Sequence, residues 1–342
     1  MKKKTKIMVI SLLVGFFLIY LNYKKFGINE VIDSFRNFNL SILPYYLGVI
    51  VCLELLGTFR WSIVIKAFKF KVPYFNLFFY RMSGYAVGYL SPQAHIGGEP
   101  VRALLLKRNG INFKQGISTI LIDKTMLLVT DIVFILTAAI MMFLHYSISN
   151  NIKIIFSVIL TGVIILVVTY FHCMFTKKPF FSAIFNITFW RHNKKIKKIR
   201  KEIEEIEHTI HTFYKKHFRY FFVVVAIQMI MYLLMFLEYY FALALFNFAP
   251  NPFVVFMLMG AVAISYSMPV PMALGVLETS QVSALSMLNM ERAIGLSISL
   301  LVRAKDLLRT LIGGLALLYF GVIEGLFKKT KSENEKSTIQ FI

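Results

Sequence analysis

Residues 92–102 read Pro92-Gln93-Ala94-His95-Ile96-Gly97-Gly98-Glu99-Pro100-Val101-Arg102, and they lie between two apolar runs. The stretch carries two prolines, two adjacent glycines, a carboxylate and a guanidinium in otherwise hydrophobic surroundings. Gly97-Gly98 disfavours a helix interior, and Pro100 suits the first turn of a new helix. The backbone is therefore expected to break here and restart near Glu99. At membrane depth such a break leaves amide groups unpaired, which is tolerated only where protein or a water-filled cavity takes them up.

The stretch recurs. At an offset of 179 residues Pro92 falls on Pro271, Glu99 on Glu278, Leu106 on Leu285, Gly116 on Gly295, Ser118 on Ser297 and Lys124 on Arg303. A helix breaker, a buried acid and a buried base return in one order and spacing, which reads as a degenerate internal repeat. The second break is marked by Pro269, Pro271 and Gly275. Paired broken segments in the two halves of a membrane protein point to a transport site.

Composition agrees. Of 342 residues 58% are hydrophobic, with a mean hydropathy of +0.68, against about 45–50% apolar in soluble domains. The chain is read as an integral membrane protein. Its net charge of +21 is then a matter of which loops collect Lys and Arg, not a sign of a nucleic-acid partner. Cys52 and Cys173 both sit in apolar runs, which argues against a disulfide framework or a cysteine metal site. The first apolar run, Ile7 to Phe26, follows Lys2-Lys3-Lys4 as a signal peptide would. It is long enough to span and no small-residue cleavage site follows, so a retained helix is expected.

Further helices are expected at Ser41–Phe68, Tyr74–Leu90, Glu99–Lys107, Phe113–Tyr146, Ile152–Phe175, Tyr220–Phe246, Phe253–Met268, Leu277–Leu288 and Ala293–Phe327. Gly27–Leu40, with Val31, Ile32, Phe35 and Phe38 at helical spacing, suits an interfacial position. Residues 176–219 hold twelve Lys/Arg and four Glu. There Ile196, Ile199, Ile203, Ile206, Ile210 and Phe213 form one helical stripe. An amphipathic helix on anionic headgroups is the plain reading of that stripe, and partner binding the lesser one.

With basic clusters placed on the cytoplasmic side, both termini are cytoplasmic and the two hairpins enter from opposite faces. The expected fold is an all-α integral membrane protein: a polytopic helical bundle with two inverted-topology repeats, each containing a broken re-entrant helical hairpin. Repeat 1 covers about 41–146 and repeat 2 about 220–327 within one membrane domain, 1–327. The basic segment 176–219 is cytoplasmic, as is the polar tail 328–342. Eight full spans are the alternative.

Fifteen ionisable residues fall within the apolar segments or hairpins: Glu54, Arg60, Arg81, His95, Glu99, Arg102, Asp123, Lys124, Asp131, Glu238, Glu278, Arg303, Lys305, Asp306 and Arg309. Each charged side chain costs about 2.5–3.5 kcal/mol at a helix centre. Unpaired, they would outweigh a folding free energy of about 5–15 kcal/mol. They must pair, face the bundle interior or line water. Without the histidine the set holds seven acids and seven bases, which suits ion pairs as internal glue, above all for Glu54 and Glu238 outside the repeat motif.

The repeat residues carry the functional reading. Glu99 and Glu278 sit at hairpin helix starts, where an acid also suits the helix dipole, and Arg102 lies one turn past Glu99. Asp123, Lys124 and Asp131 fall in the first half to middle of one long helix, and Arg303, Asp306 and Arg309 fall similarly in its repeat mate. Arg303 and Asp306 are spaced as an i,i+3 pair. With Lys305 and Arg309, three bases surround one acid, an excess of positive charge. Arginine is also the preferred side chain for phosphate. These nine residues form the expected binding site for an anionic headgroup, between hairpin breaks at Pro92, Gly97, Gly98, Pro269, Pro271 and Gly275. No metal-ligand spacing, phosphate loop or nucleophile elbow is present, so no cofactor and no catalytic residue is expected. His95 beside a break reads as structural.

The run Gly97-Gly98-Glu99-Pro100-Val101-Arg102, with Leu104-Leu105-Leu106 and the Asp123-Lys124 helix, resembles the flippase-like transmembrane family that includes the membrane half of lysylphosphatidylglycerol synthases. Pro269-Val270-Pro271, Gly275-Val276-Leu277-Glu278 and Arg303 through Arg309 fit it too, and the resemblance covers nearly the whole chain. Met272-Ala273 stand where members often show a glycine pair, which points to a stiffer second tip or a different substrate. The resemblance implies translocation of a charged phospholipid or polyprenyl-phosphate-linked group. Bifunctional members carry a soluble aminoacyltransferase domain after the membrane part. The sequence stops at Ile342, so aminoacyl transfer is not expected. A membrane-embedded headgroup transferase using Glu99, Asp123 or Asp131 is one alternative, and a non-transporting partner of cell-envelope enzymes is another.

Overall fold

The computed structural model describes residues 28–91, 97–145, 150–188, 194–249, 251–268, 270–288 and 290–321, together with Phe17 and Tyr20. The expected first helix lies outside them apart from those two residues. So do residues 92–96, with Pro92 and His95, and so do Pro269 and the tail 328–342.

All regular structure among the described residues is helical: α1 Ile28–Arg36, α2 Leu43–Ala67, α3 Tyr74–Leu90, α4 Gly98–Leu106, α5 Phe113–His145, α6 Asn150–Thr176, α7 Phe181–Thr188, α8 Lys194–Lys216, α9 Phe218–Leu245, α10 Pro252–Ser267, α11 Val276–Met287 and α12 Arg292–Tyr319. Two of them, α2 and α9, pass a strict test of length and apolarity for a membrane span. α12 ends at Tyr319 and Gly321 follows at φ +59°, while residues 322–327 of the expected helix lie outside the described residues.

The break after α3 is followed by a helix that starts at Gly98, with Pro100 in its first turn. The restart is tight. A Cβ on Gly98 would lie 2.1 Å from the Gly84 carbonyl oxygen, so two glycines are what let α4 fold back along α3. After the second break Gly275 sits at φ +73° just ahead of α11, a backbone geometry that suits glycine.

α2–α5 and α9–α12 each run long, shorter, short and long in helix length. α5 and α12 start 179 residues apart, at Phe113 and Arg292. Local packing returns at that offset too. A Cβ on Gly116 would meet Ala103 Cα at 3.2 Å, and one on Gly295 would meet Val282 Cα at 2.9 Å. Ser118 Oγ donates to Lys114 O at 2.9 Å and Ser297 Oγ to Ala293 O at 3.0 Å.

The seams between the two series differ. α3 lies hard against α12, where a Cβ on Gly313 would come within 2.1 Å of the Met82 carbonyl oxygen. The residue 179 positions earlier is Phe134, whose ring stacks on Tyr232 at 5.0 Å and meets Phe256 at 5.7 Å. A glycine closes one seam and an aromatic wedge fills the other.

The polar stretch 176–219 holds two helices, α7 and α8, where the sequence suggests one. Glu207 of α8 explains the join. Its Oε1 accepts from the Phe180 and Phe181 amides, the latter at 2.9 Å, and its Oε2 accepts from the Ser182 hydroxyl. This side chain caps the α7 N-terminus. Only the C-terminal part of the apolar stripe is seated: Ile210 and Phe213 are buried in a core with Ile122, Met126, Tyr170 and Val224, while Ile199 is exposed. α8 is thus docked on the bundle by its second half.

Two predictions follow from this packing. Gly313→Ala should lower the melting temperature in detergent, because overpacking costs about 1–3 kcal/mol and outweighs a helix-propensity gain of about 1 kcal/mol. Gly314→Ala, with nothing within 4 Å of the new methyl, should be neutral or stabilising. Equal effects would refute the close α3–α12 approach.

The second concerns pH. Burial holds the His211 imidazole below its ordinary pKa, with the nearby Glu207 opposing. The neutral form is favoured in the docked state, so docking is strongest above the unfolded value of about 6.5 and is lost as pH falls through the lower folded value. Protection of the α8 amides, taken relative to intrinsic exchange at each pH, should fall between pH 7.5 and 5.5, and His211→Gln should flatten that fall.

Candidate functional site

The buried charges meet where α2, α3 and α4 face α5, α9 and α12. Arg60 donates from Nε to Asp123 Oδ1 at 2.9 Å and from Nη2 to Oδ2 at 3.3 Å, with Gln228 taking Nη1. Arg81 reaches back to α2, at 2.8 Å from Nη2 to Glu54 Oε2 and 2.7 Å from Nη1 to the Glu54 carbonyl. The other Glu54 oxygen pairs with Arg309 of α12. Arg309 Nη1 lies 3.5 Å from Asp306 Oδ1. Asp306 also accepts hydrogen bonds from Tyr85, at 2.7 Å, and from Tyr266. Lys305 donates to Glu238 of α9.

Two ion pairs stand in equivalent places. Lys124 of α5 holds Glu99 of α4, and Arg303 of α12 holds Glu278 of α11, each acid and base being 25 residues apart. The Arg303–Glu278 pair is bidentate, at 2.9 and 3.0 Å. Arg303 also donates to Tyr89 Oη at 3.1 Å, to Met272 O and to Ala273 O at 3.0 Å. All five of its N–H groups are therefore engaged. Met272 and Ala273 have φ of +57° and +47°, a left-handed geometry that costs non-glycine residues about 1–2 kcal/mol each. Arg303 pins that turn.

The sequence led to an excess of positive charge around Asp306. The structure relocates it. Arg303, Lys305 and Arg309 each meet a carboxylate on another helix, Glu278, Glu238 and Glu54 respectively, and the expected Arg303–Asp306 pair does not form. Five pairs are then plain: Arg81–Glu54, Arg60–Asp123, Lys124–Glu99, Arg303–Glu278 and Lys305–Glu238, with Arg309 shared between Glu54 and Asp306. That leaves one acid and one base. Asp131 accepts from the Tyr232 hydroxyl. Arg102 has only a 4.0 Å approach to Asp123, which Arg60 already holds.

Arg102 is largely buried, and its Nε and Nη2 have no hydrogen-bond partner. Its guanidinium lies 4.0 Å over the Trp61 ring. It borders a cavity of about 140 Å³ lined by Arg81, Gly84, Tyr85, Gly88, Gly98 and Glu99. Glu99 Oε2 is also buried and unpartnered. Of the nine candidate residues, Glu99, Arg102, Asp123 and Lys124 gather on this side. Glu278, Arg303, Asp306 and Arg309 gather on the α12 side, and Asp131 stands apart. Sequence reasoning read Glu54 as ion-pair glue, and it ties α2, α3 and α12 together; it missed Trp61, Tyr85, Tyr89, Gln228 and Tyr266. Only the apolar runs around Glu54 could have hinted that it needs two cations. Among the described residues, no group of acids, histidines and cysteines could hold a metal ion.

Residues 8–314 match the family described as the lysylphosphatidylglycerol synthase TM region. A protein described as a UPF0104 membrane protein from Methanothermobacter thermautotrophicus is 29% identical over 154 residues, covering 44% of each chain. The match thus spans less than half the length of that relative.

The pairing scheme predicts an order of sensitivity. Glu54→Gln leaves Arg81 and Arg309 underpaired, and breaking a buried pair costs about 3–5 kcal/mol. Glu205→Gln removes an exposed partner of Lys114, a class of bridge that contributes about 0–1 kcal/mol. Intrinsic-fluorescence melts in detergent should show a large loss for the first and little for the second. Similar melts would mean that the Glu54 junction does not hold the bundle.

Proposed function

The chain belongs to the lysylphosphatidylglycerol synthase TM region family, a family of membrane proteins, and from that premise we propose that it translocates an anionic or aminoacylated phospholipid, or a polyprenyl-phosphate-linked lipid, between leaflets. In this reading the described helices form one multi-pass domain of the plasma membrane. Its two halves are inverted repeats, and α3–α4 and α10–α11 are re-entrant hairpins entering from opposite faces. The basic segment 176–219 and both termini are cytoplasmic.

One observation carries the proposal: an acid at the start of each restarted helix is held by a base 25 residues on, once in each half. Restarted helices whose ends converge on charged groups near the midplane are how many secondary transporters build substrate sites. The glycine seam at Gly313 and the aromatic wedge at Phe134 fit a molecule closed along one inter-repeat seam. Rocking of one repeat against the other would exchange the two. Glu99, Arg102, Asp123, Lys124, Asp131, Glu278, Arg303, Asp306 and Arg309 are the groups proposed to receive the headgroup. The transferase alternative is disfavoured at Asp123, because a carboxylate held bidentately by Arg60 is a poor base.

The test is reconstitution into liposomes with a headgroup-labelled lipid in both leaflets and an external quencher. Wild-type protein should raise the quenched fraction from about half towards completeness. Glu278→Gln should slow the rise at least tenfold while remaining folded. Wild-type vesicles that stop at the protein-free level overturn the proposal. Lipid recovered with an altered headgroup mass moves the transferase reading to first place.

A further inference from the structure

We propose that Asp131 and Tyr232 form a proton-binding site at the aromatic seam, and that binding of one proton there is linked to how the seam packs. Any coupling of that proton to transport rests on the translocation reading; the proton site itself does not.

The first ground is the charge inventory. Six of the seven acids in the apolar segments hold a cation: Glu54, Glu99, Asp123, Glu238, Glu278 and Asp306. Asp131 is the seventh. Among the described residues it has no ion-pair partner, and it accepts from the Tyr232 hydroxyl of α9. Arg60 of α2 is the cation close enough to act on it, and that guanidinium is already taken by Asp123 and Gln228. α10, which meets α5 at the same seam, brings no charged residue. A carboxylate with a cation keeps its charge. One without a cation, away from water, is stabilised by taking a proton. The counterpart of Asp131 at the repeat offset is Thr310, whose hydroxyl donates to the Asp306 carbonyl at 2.7 Å, so the second half has no such acid.

The second ground is the hydrogen-bond chain. One proton from water joins a carboxylate oxygen of Asp131, and no covalent bond of the protein breaks. Asp131 then has an O–H to donate to Tyr232 Oη. Tyr232 turns its own proton to Gln228, one turn back on α9 and beside the hydroxyl. Gln228 Oε1 already accepts from Arg60, and a carbonyl oxygen has a second lone pair to offer. The protonated site is thus neutral and fully hydrogen-bonded. Release of the proton restores the bond from Tyr232 to Asp131.

Position is the third ground. Phe134 lies one turn past Asp131 on α5. Its ring stacks on Tyr232 at 5.0 Å, with the planes 4° apart, and meets Phe256 of α10 at 5.7 Å. Phe236, one turn past Tyr232, meets Phe256 at 5.5 Å. The ring that bonds Asp131 is therefore the ring that carries the wedge. Repacking the wedge moves Tyr232, and moving Tyr232 changes the partner and the hydration of Asp131. Linkage makes this reciprocal: a proton bound more tightly in one packing favours that packing.

The test is infrared difference spectroscopy of the full-length detergent-solubilised protein, stepped between about pH 8 and 5.5, above the ordinary carboxyl range. Wild type should gain the carbonyl band of one protonated carboxyl, and Asp131→Asn should lose that band. Phe134→Ala, which lets water reach the carboxyl, should move the midpoint towards acid pH by about half a unit or more. Tyr232→Phe, which removes the donor to the ionised form, should move it the opposite way. These two variants give the reading should Asp131→Asn not fold. In liposomes, an imposed pH gradient should change the wild-type translocation rate severalfold and leave Asp131→Asn unresponsive.

No band in wild type, or a band that survives Asp131→Asn, overturns the inference. So does a midpoint that neither Phe134→Ala nor Tyr232→Phe moves. A band that behaves as expected in protein that translocates nothing keeps the proton site and its link to the seam, and sinks the transport reading. Translocation that ignores the gradient while the band titrates overturns the coupling to transport.

Discussion

Most charges inside this bundle stand beside an opposite charge, and that constraint decides which helices touch. Glu54 shows how. Its two oxygens take cations from α3 and α12, so one carboxylate ties three helices that hydrophobic packing alone would leave free to slide. Asp123 ties α5 to α2 through both oxygens on Arg60. Leucine against leucine has little orientation in lipid, where association gains nothing from excluding water. Bidentate arginine geometry supplies the register that apolar faces lack.

Most helix boundaries were legible because apolar runs and their Pro, Gly and basic terminators act locally; α3 falls at its expected limits, Tyr74 and Leu90. The matching positions of the two ion pairs were legible as well, since Glu99 with Lys124 and Glu278 with Arg303 stood at one offset before any contact was known. Partners were not legible. Arg303 and Asp306 sit one turn apart, so sequence reasoning joined them, yet Arg303 turns to α11 and Asp306 to Tyr85 and Tyr266. Proximity along a helix is a weak guide where the competing partner is a fully desolvated carboxylate on another helix. The polar stretch misled for a similar reason. Its stripe is periodic throughout, but Glu207 captures the amides that begin α7, and no local pattern announces that.

The two helix series agree at some matching positions and differ at others. Gly116 and Gly295 both stand where helix crossings at Ala103 and Val282 leave little room for a side chain. Gly313 and Phe134 are not kept alike, and the seams they occupy differ accordingly: backbone against backbone on one side, ring against ring on the other. A pair of identical seams would pack equally well together and gain nothing from the presence of two halves. Unequal seams give the bundle a preferred state, and a preferred state is what a ligand can shift, by its difference in affinity for the two arrangements.

The same divergence places the surplus charge. The counterpart of Arg102 at the repeat offset is Gln281, a neutral side chain whose Nε2 donates to the Leu258 carbonyl at 3.3 Å. The counterpart of Arg81 is Gly260. Both halves therefore own the acid–base latch, but only the first half adds a second layer of guanidinium behind it. In the second half the latch closes on itself: Arg303 satisfies Glu278, Tyr89 and the turn at Met272 and Ala273, and has no donor left. In the first half the latch base is a lysine with one bond to Glu99, and the neighbouring arginine is unsaturated. Two like helix series thus carry an unequal charge inventory: Arg102 keeps two buried nitrogens without partners, where Arg303 has every donor engaged.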